Sequence, residues 1–185
     1  MKFDPFPVLE TERLILRKMS SDDGDDFFTM RSDERMHEYT DTTPDHDISQ
    51  TDEYLAKMLR GVDENHWIIW AIQHRDSARV IGSVGIWGFD ETQNTAELSY
   101  GIAPEFQGKG YMGEALVWVC EYAFGTLNLA SLEAYTEQEN TPSRKLLQHL
   151  CFIEAGRVDD RSEDGTRVYH MIRYRLDRQT ALIQV

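Results

Sequence analysis

The chain has 185 residues, of which 33 are Asp or Glu and 19 are Lys or Arg, giving a formal net charge of −14 at pH 7. This length predicts one domain, residues 1–185, and an apolar fraction of 41% predicts a packed core rather than a disordered chain. The excess of negative charge argues against binding to nucleic acid or to an anionic membrane, because both carry negative charge themselves.

The predicted elements, in chain order, are one strand, two helices, three strands, a helix, a strand, a helix and two strands. The three middle strands are joined by short turns, which is typical of an antiparallel meander. The predicted strands cover residues 13–17, 67–72, 80–87, 96–103, 129–135, 152–158 and 167–175. The first predicted helix ends at about residue 31, and the other three cover residues 49–60, 110–124 and 141–150. We therefore expect an α+β domain with a mixed, mostly antiparallel twisted sheet of about seven strands, flanked by about four helices.

The sequence predicts a cytoplasmic protein without a metal site. It contains no run of about 18 apolar residues, and its N-terminus lacks the apolar core of a signal peptide. Two cysteines, Cys120 and Cys151, are too few for a disulfide framework in a chain of this length. The six histidines show no spacing that is typical of metal ligands.

A glycine-rich turn joins the last strand of the meander to the helix that follows it. The stretch from Pro104 to Ala115 contains Gly108, Gly110 and Gly113. Glycines let the backbone approach a ligand closely and point several N–H groups in one direction. The N-terminus of a helix adds partial positive charge. The combination predicts a phosphate or pyrophosphate site, although an ordinary strand-to-helix turn has a similar composition.

The turn also carries a resemblance to a known family. The segment Gln107–Met112 resembles the Gln/Arg-x-x-Gly-x-Gly/Ala motif of the GNAT superfamily of N-acetyltransferases. Residues 9–17, 96–102 and 139–147 resemble the opening strand, the strand before the cofactor loop and the Asn-x-x-Ser helix start of its RimJ/RimL-like branch of ribosomal-protein N-terminal acetyltransferases. The resemblance covers nearly the whole chain in the right order, and it implies a single GNAT-like domain.

Two positions depart from the family pattern. Met112 stands where Gly or Ala is usual, although its backbone N–H remains a donor. Cys151 stands in place of the Gly of a Leu-Gly-Phe sequence, so it brings a side chain to a position that suits a left-handed backbone.

The resemblance implies transfer of an acetyl group from acetyl-CoA to a primary amine. It implies that the pyrophosphate lies on the N–H groups of Gly108–Gly113 and that the pantetheine arm runs along the strand end. The implied cofactor-binding residues are Gly101, Ile102, Ala103, Gln107, Gly108, Lys109, Gly110, Tyr111, Met112, Gly113, Asn140 and Ser143. Residues 105–150 contain three Lys or Arg against six Glu, so backbone dipoles must supply much of the attraction for the anionic cofactor.

Glu97 and Ser143 are the candidate catalytic residues. Glu97, on the strand that enters the site, is the candidate base for the acceptor amine, acting directly or through water, or else a surface carboxylate. Ser143 is the candidate acid that protonates the departing CoA thiolate, or else a residue of the first helical turn. Asn140 resembles the family's cofactor-contacting Asn and also suits a helix cap. Tyr135 is a weaker candidate acid.

The acceptor side is predicted to be acidic. Residues 1–66 hold 17 Asp or Glu against 8 Lys or Arg, and residues 41–53 contain no Lys or Arg. The resemblance implies that the first two helices and the loop between them form the acceptor pocket, so we expect this acidic segment to attract a cationic amine or a basic protein N-terminus. A solvated acidic face would have the same composition.

Three functions are compatible with these observations. The leading hypothesis is acetylation of a protein N-terminal α-amine. The second is acetylation of a small cationic amine, such as a polyamine or an aminoglycoside. The third is a sensor that binds acyl-CoA without turnover. A homodimer is compatible with each of them.

Overall fold

The computed structural model describes residues 3–181, which fold around one mixed sheet. Eight strands occur in this range: β1 (Leu9–Glu10), β2 (Leu14–Lys18), β3 (Ile68–His74), β4 (Val80–Asp90), β5 (Thr95–Ile102), β6 (Ser131–Glu137), β7 (Ile153–Arg161) and β8 (Val168–Asp177). Five α-helices occur in the same range: α1 (Gly24–Arg31), α2 (Ile48–Asp63), α3 (Tyr111–Glu121), α4 (Thr141–His149) and α5 (Arg178–Ala181).

The strands lie in the order β1-β2-β3-β4-β5-β6-β8-β7, and each pair is antiparallel except β5 with β6. The parallel pair is short, because Thr95–Glu97 aligns with Ser131–Glu133 and no further pairing occurs within these two described strands. β5 nevertheless continues to Ile102 and β6 to Glu137. The two strands therefore leave a gap in the sheet beyond Glu97.

Helices cover the sheet on both faces, because alternate residues of the central strands point to opposite sides. Trp70 of β3 is fully buried in the core beneath α3, together with Leu116. The next residue, Ala71, is buried in a second core with Phe27 of α1 and Leu55 of α2. No helix among residues 3–181 combines the length and apolarity needed to cross a bilayer.

The predicted α+β architecture is confirmed, with differences at short elements. The described sheet has eight strands rather than about seven, because β1 has only two residues and so carries no sequence pattern. The predicted helix 110–124 ends as an α-helix at Glu121 and continues as a π-helical turn, Tyr122–Thr126. Cys151 has a φ of +64°, which confirms the left-handed backbone expected there.

Candidate active site

The glycine-rich turn ends in a helix N-terminus that faces open space. Gly108 and Gly110 have φ values of +71° and +82°, which favour glycine. Gly110 is the N-cap of α3, and its carbonyl accepts the N–H of Glu114 at 3.0 Å. The N–H groups before Glu114 therefore lack a partner within the helix. A Cβ at Gly108 would meet no described atom within 4 Å, so the space beside this turn is open.

An ion pair that involves Arg13, near the start of the chain, stabilises this turn. Arg13 and Glu114 lie 2.6 Å apart, and the Thr11 hydroxyl also donates to Glu114. Arg13 Nη1 donates to the Lys109 carbonyl at 3.0 Å, and its guanidinium lies 4.5 Å from the centre of the Tyr111 ring. The sequence does not predict this ion pair, because no local pattern links two residues that are 101 positions apart.

The exposed edge of β5 presents few backbone groups to the gap. The N–H of Ala103 already donates to the Ile81 carbonyl at 2.8 Å, and Gly101 lies opposite Ser83 of β4. Successive strand residues direct their backbone groups to opposite edges. Ile102 is therefore the member of the predicted segment Gly101–Ala103 whose backbone faces the gap, and its carbonyl accepts Gln107 Nε2 at 3.1 Å.

A cavity of about 650 Å³ lies between this edge, the start of α3, the start of α4 and the chain between α1 and α2. Nine of the twelve predicted cofactor-binding residues line it, all except Gly101, Ala103 and Lys109. The Met112 side chain is only 6% exposed and also packs in the core, so the departure from the family pattern leaves the helix N-terminus open. Lys109 Nζ lies 5.3 Å from the centre of the Phe106 ring.

Asn140 and Ser143 meet at the start of α4. Asn140 is the N-cap, and its side-chain oxygen accepts the Ser143 N–H at 3.1 Å. The Ser143 hydroxyl lies 2.8 Å from the hydroxyl of Tyr100 on β5, and all three residues line the cavity. Burial raises the pKa of Tyr100 to about 12. The sequence predicts no role for Tyr100 in the site, because an aromatic residue on a strand is usually a core residue.

Glu97 lies at the closed end of the gap. It is the last residue of β5 that pairs with β6, and strand alternation places its side chain on the face of β5 opposite to Tyr100. Its carboxylate lies over Gly88, where an added Cβ would be 3.3 Å from Oε1. Burial, and then the neighbouring charge of Glu133, raise the pKa of Glu97. Glu97 is not among the residues that line the Ser143 cavity.

Tyr135 lies on the same face as Glu97 rather than beside Ser143. It is 38% exposed, and its hydroxyl donates to Glu133 at 3.2 Å. The structure therefore brings Ser143 and Asn140 together, places Glu97 at the end of the same gap, and leaves Tyr135 on the open sheet face.

The chain between α1 and α2 forms the far wall of the cavity. Arg35, Met36, Glu38, Tyr39 and Thr40 line this side. The hairpin of β7 and β8 holds the segment through three hydrogen bonds. They run from Tyr169 Oη to the Thr40 carbonyl (2.9 Å), from Arg167 Nη2 to the Glu38 carbonyl (3.1 Å), and from the Glu163 N–H to Asp41 Oδ2 (2.8 Å).

Two acidic residues of this segment have structural roles, and the ion pair of Asp45 corrects the expectation that this carboxylate attracts the acceptor. Asp45 is 5% exposed, forms an ion pair with Arg31 at 2.7 Å and accepts the Thr51 hydroxyl at 2.6 Å. Asp47 is the N-cap of α2 and accepts the Ser49 N–H at 2.9 Å. The Arg31 guanidinium neutralises the Asp45 charge, whereas Asp47 is exposed and remains available to act on an approaching cation.

Comparison with known proteins identifies the family. The family model described as "Acetyltransferase (GNAT) domain" matches residues 13–153. An uncharacterized N-acetyltransferase, p20 of Bacillus licheniformis, is 36% identical over 154 residues, which cover 83% of this chain and 86% of that protein. The spermidine N(1)-acetyltransferase of Vibrio cholerae is 23% identical over 85% of this chain and 92% of that protein.

The fold is also similar to solved structures. The ribosomal-protein-S5-alanine acetyltransferase of Vibrio fischeri superimposes with a TM-score of 0.79 over 93% of this chain and 97% of that chain, at 18% identity. The family match covers most of the sequence, and its members use acetyl-CoA as the acetyl donor. The chain therefore belongs to the GNAT family of N-acetyltransferases.

Proposed function

We propose that this acetyltransferase acts on the α-amine of a protein N-terminus. The observation that carries the proposal is the shared cavity, because it joins the helix N-terminus that suits the CoA pyrophosphate to the segment Arg35–Thr40. The fold similarity to a ribosomal-protein-S5-alanine acetyltransferase is consistent with this class of acceptor.

The strength of the available base favours an α-amine. Only the neutral amine attacks a thioester, and a lysine ε-amine near pKa 10.4 costs roughly 4–5 kcal/mol to deprotonate at pH 7. An α-amine near 7.7–8.0 costs about 1–1.4 kcal/mol. A carboxylate is a weak base even when burial raises its pKa, as it does for Glu97. Such a base is adequate for the α-amine and poor for the ε-amine.

Each candidate residue then has a defined task. Acetyl-CoA supplies the acetyl group as an activated thioester. The N–H groups at the start of α3 hold the pyrophosphate, and the Ile102 backbone provides an edge for the pantetheine arm. Asn140 holds the first turn of α4 in place. Glu97 accepts the proton that the amine loses, directly or through water, and Ser143 donates a hydrogen bond to the leaving sulfur.

A small polyamine is the second candidate acceptor. The chain carries a net charge of −14, which suits a cationic substrate, and a spermidine acetyltransferase is among its relatives. Spermidine carries only amines of high pKa, so its acetylation requires a stronger base than the α-amine does.

Thiol release from acetyl-CoA, followed with a thiol reagent, tests the proposal. Four acceptors are compared: a basic peptide with a free N-terminus, the same peptide with a blocked N-terminus and a free lysine, spermidine, and an aminoglycoside. We expect the free N-terminus to give a kcat/KM about 100-fold or more above that of the blocked peptide, because its amine is far more often neutral.

The other outcomes would each overturn the proposal. Faster turnover of spermidine or of the aminoglycoside would assign the enzyme to small amines. Saturable binding of acetyl-CoA without thiol release from any acceptor would indicate a sensor. Gly110→Ala is the matched control, since a Cβ at its φ of +82° strains the turn, and it should weaken acetyl-CoA binding for every acceptor alike.

A further inference from the structure

Two hydroxyl groups from opposite walls of the cavity meet at the gap in the sheet. Tyr100 belongs to β5, Ser143 belongs to the first turn of α4, and their oxygens lie 2.8 Å apart. The backbone N–H of Ser143 is held by Asn140, so the position of the serine is fixed from both sides. The serine hydroxyl itself would otherwise rotate among three staggered orientations.

We infer that Tyr100 is a positioning residue whose hydroxyl donates to Ser143 Oγ and thereby leaves the Ser143 O–H to donate to the sulfur of the thioester. This inference rests on the proposed role of Ser143 as the donor to the leaving group. It adds a residue that touches neither the acetyl group nor the acceptor and acts through the serine.

The direction of the hydrogen bond follows from the chemistry of the two groups. Each hydroxyl has one proton and can also accept. A phenol is more acidic than an aliphatic alcohol, so the tyrosine is the better donor of the two. Burial raises the pKa of Tyr100 to about 12, so its proton is present throughout the physiological range. A serine that accepts from Tyr100 also becomes a better donor, because hydrogen bonds in a chain polarise one another.

The step balances without proton transfer from either hydroxyl. A C–N bond forms between the amine and the acetyl carbon, and the C–S bond breaks with its electron pair remaining on sulfur. The amine proton goes to the Glu97 carboxylate, and the thiolate takes its proton from solvent. Tyr100 and Ser143 keep their own protons and lower the energy of the developing negative charge.

A double-mutant cycle tests whether Tyr100 acts through Ser143. Tyr100→Phe keeps the ring and should lower kcat about tenfold with little change in the KM for acetyl-CoA, as loss of a hydrogen bond to a developing charge predicts. Ser143→Ala should lower kcat at least as much. If Tyr100 acts only through the serine, the double variant should match Ser143→Ala alone.

Tyr174→Phe is the matched control. Tyr174 is a fully buried tyrosine beside α4, whereas Tyr100 is partly buried, and the Tyr174 hydroxyl lies 3.4 Å from Arg144 Nε and 3.4 Å from Gln148 Nε2 rather than next to Ser143. It reports what the loss of a buried phenol does to stability alone, so its kcat should remain near that of the wild type. Thermal unfolding of all variants separates misfolding from a change in the reaction.

A second measurement does not depend on turnover. The ultraviolet absorbance of the thiolate gives the pKa of the CoA thiol when CoA is bound. A donor aimed at the sulfur lowers that pKa, so Tyr100→Phe should raise it by about one unit and the double variant should raise it no further than Ser143→Ala.

Additive losses of kcat in the double variant, or an unchanged thiol pKa in Tyr100→Phe, would overturn the inference. If no acceptor were acetylated, the proposed function would fail while the thiol pKa would still decide the role of Tyr100. The two failures are therefore distinguishable.

Discussion

Glu97 carries a charge that its surroundings disfavour. Burial and the charge of Glu133 raise its pKa, so protonation stabilises the fold at low pH and that stability is lost as the pH rises through the folded pKa. We expect Glu97→Gln to raise Tm at pH 7 and to lower kcat about 100-fold, because the base is lost. Thermal unfolding and steady-state kinetics on the same preparation measure both effects.

Glu133→Gln is the control, and we expect it to change Tm in the opposite direction to Glu97→Gln. Glu133 lies 3.7 Å from Arg173 and 3.4 Å from Arg175, so its loss leaves two guanidinium groups without this partner and should lower Tm. It also removes the charge that raises the pKa of Glu97, so the acidic limb of the kcat/KM profile should shift to lower pH. Normal kcat in Glu97→Gln would contradict its role as the base.

At the scale of residues, the sequence predicts contacts that follow from a local pattern but not contacts between distant positions. Asn140 and Ser143 are three positions apart at a helix start, and their contact follows from that spacing. Tyr100 and Ser143 are 43 positions apart, and their contact depends on where α4 lies against β5. A single sequence carries no signal for such a distance.

The segment between α1 and α2 depends on one buried carboxylate. Asp45 bonds both Arg31 and Thr51, and burial of a carboxylate without its partners is costly. Asp45→Asn should lower the free energy of unfolding by about 3 kcal/mol, since it leaves the Arg31 charge unpaired. The midpoint of urea unfolding measures this change.

Asp41→Asn provides the comparison within the same segment. Its carboxylate is exposed and accepts only the Glu163 N–H among the described residues, so we expect almost no change in stability. An Asp45→Asn variant with normal stability but a higher KM for a basic acceptor would show that the carboxylate serves the substrate instead.

Most elements were predictable because their patterns are local, whereas the gap between β5 and β6 was not. Strand alternation and helix periodicity recur within a few residues, so the sequence predicts the long strands and helices well. Where two strands stop pairing depends on the helices packed above and below them. The sequence accordingly predicts β5 and β6 as ordinary strands.

The charge of the whole molecule should act in opposite directions on its two substrates. A net charge of −14 attracts a cationic acceptor and repels anionic acetyl-CoA. Raising the salt from about 0.01 M to about 0.15 M shortens the Debye length from about 30 Å to about 8 Å. The KM for a basic peptide should therefore rise several-fold, and the KM for acetyl-CoA should fall.

An uncharged acceptor peptide is the control, since its KM should stay nearly constant over the same range of salt. If the KM values of acetyl-CoA and the basic peptide both rose with salt, local contacts rather than the overall charge would govern access.

Among the described residues, only three residue pairs of β5 and β6 continue the strand pairing between a five-stranded and a three-stranded part of the sheet. A ligand arm lying along Ile102 would bridge the gap between β5 and β6 and so connect the two parts of the sheet. The donor would then be a temporary part of the scaffold as well as a reactant. The sheet would be more rigid while the donor is bound and less rigid in the free enzyme, so its rigidity would change in every turnover.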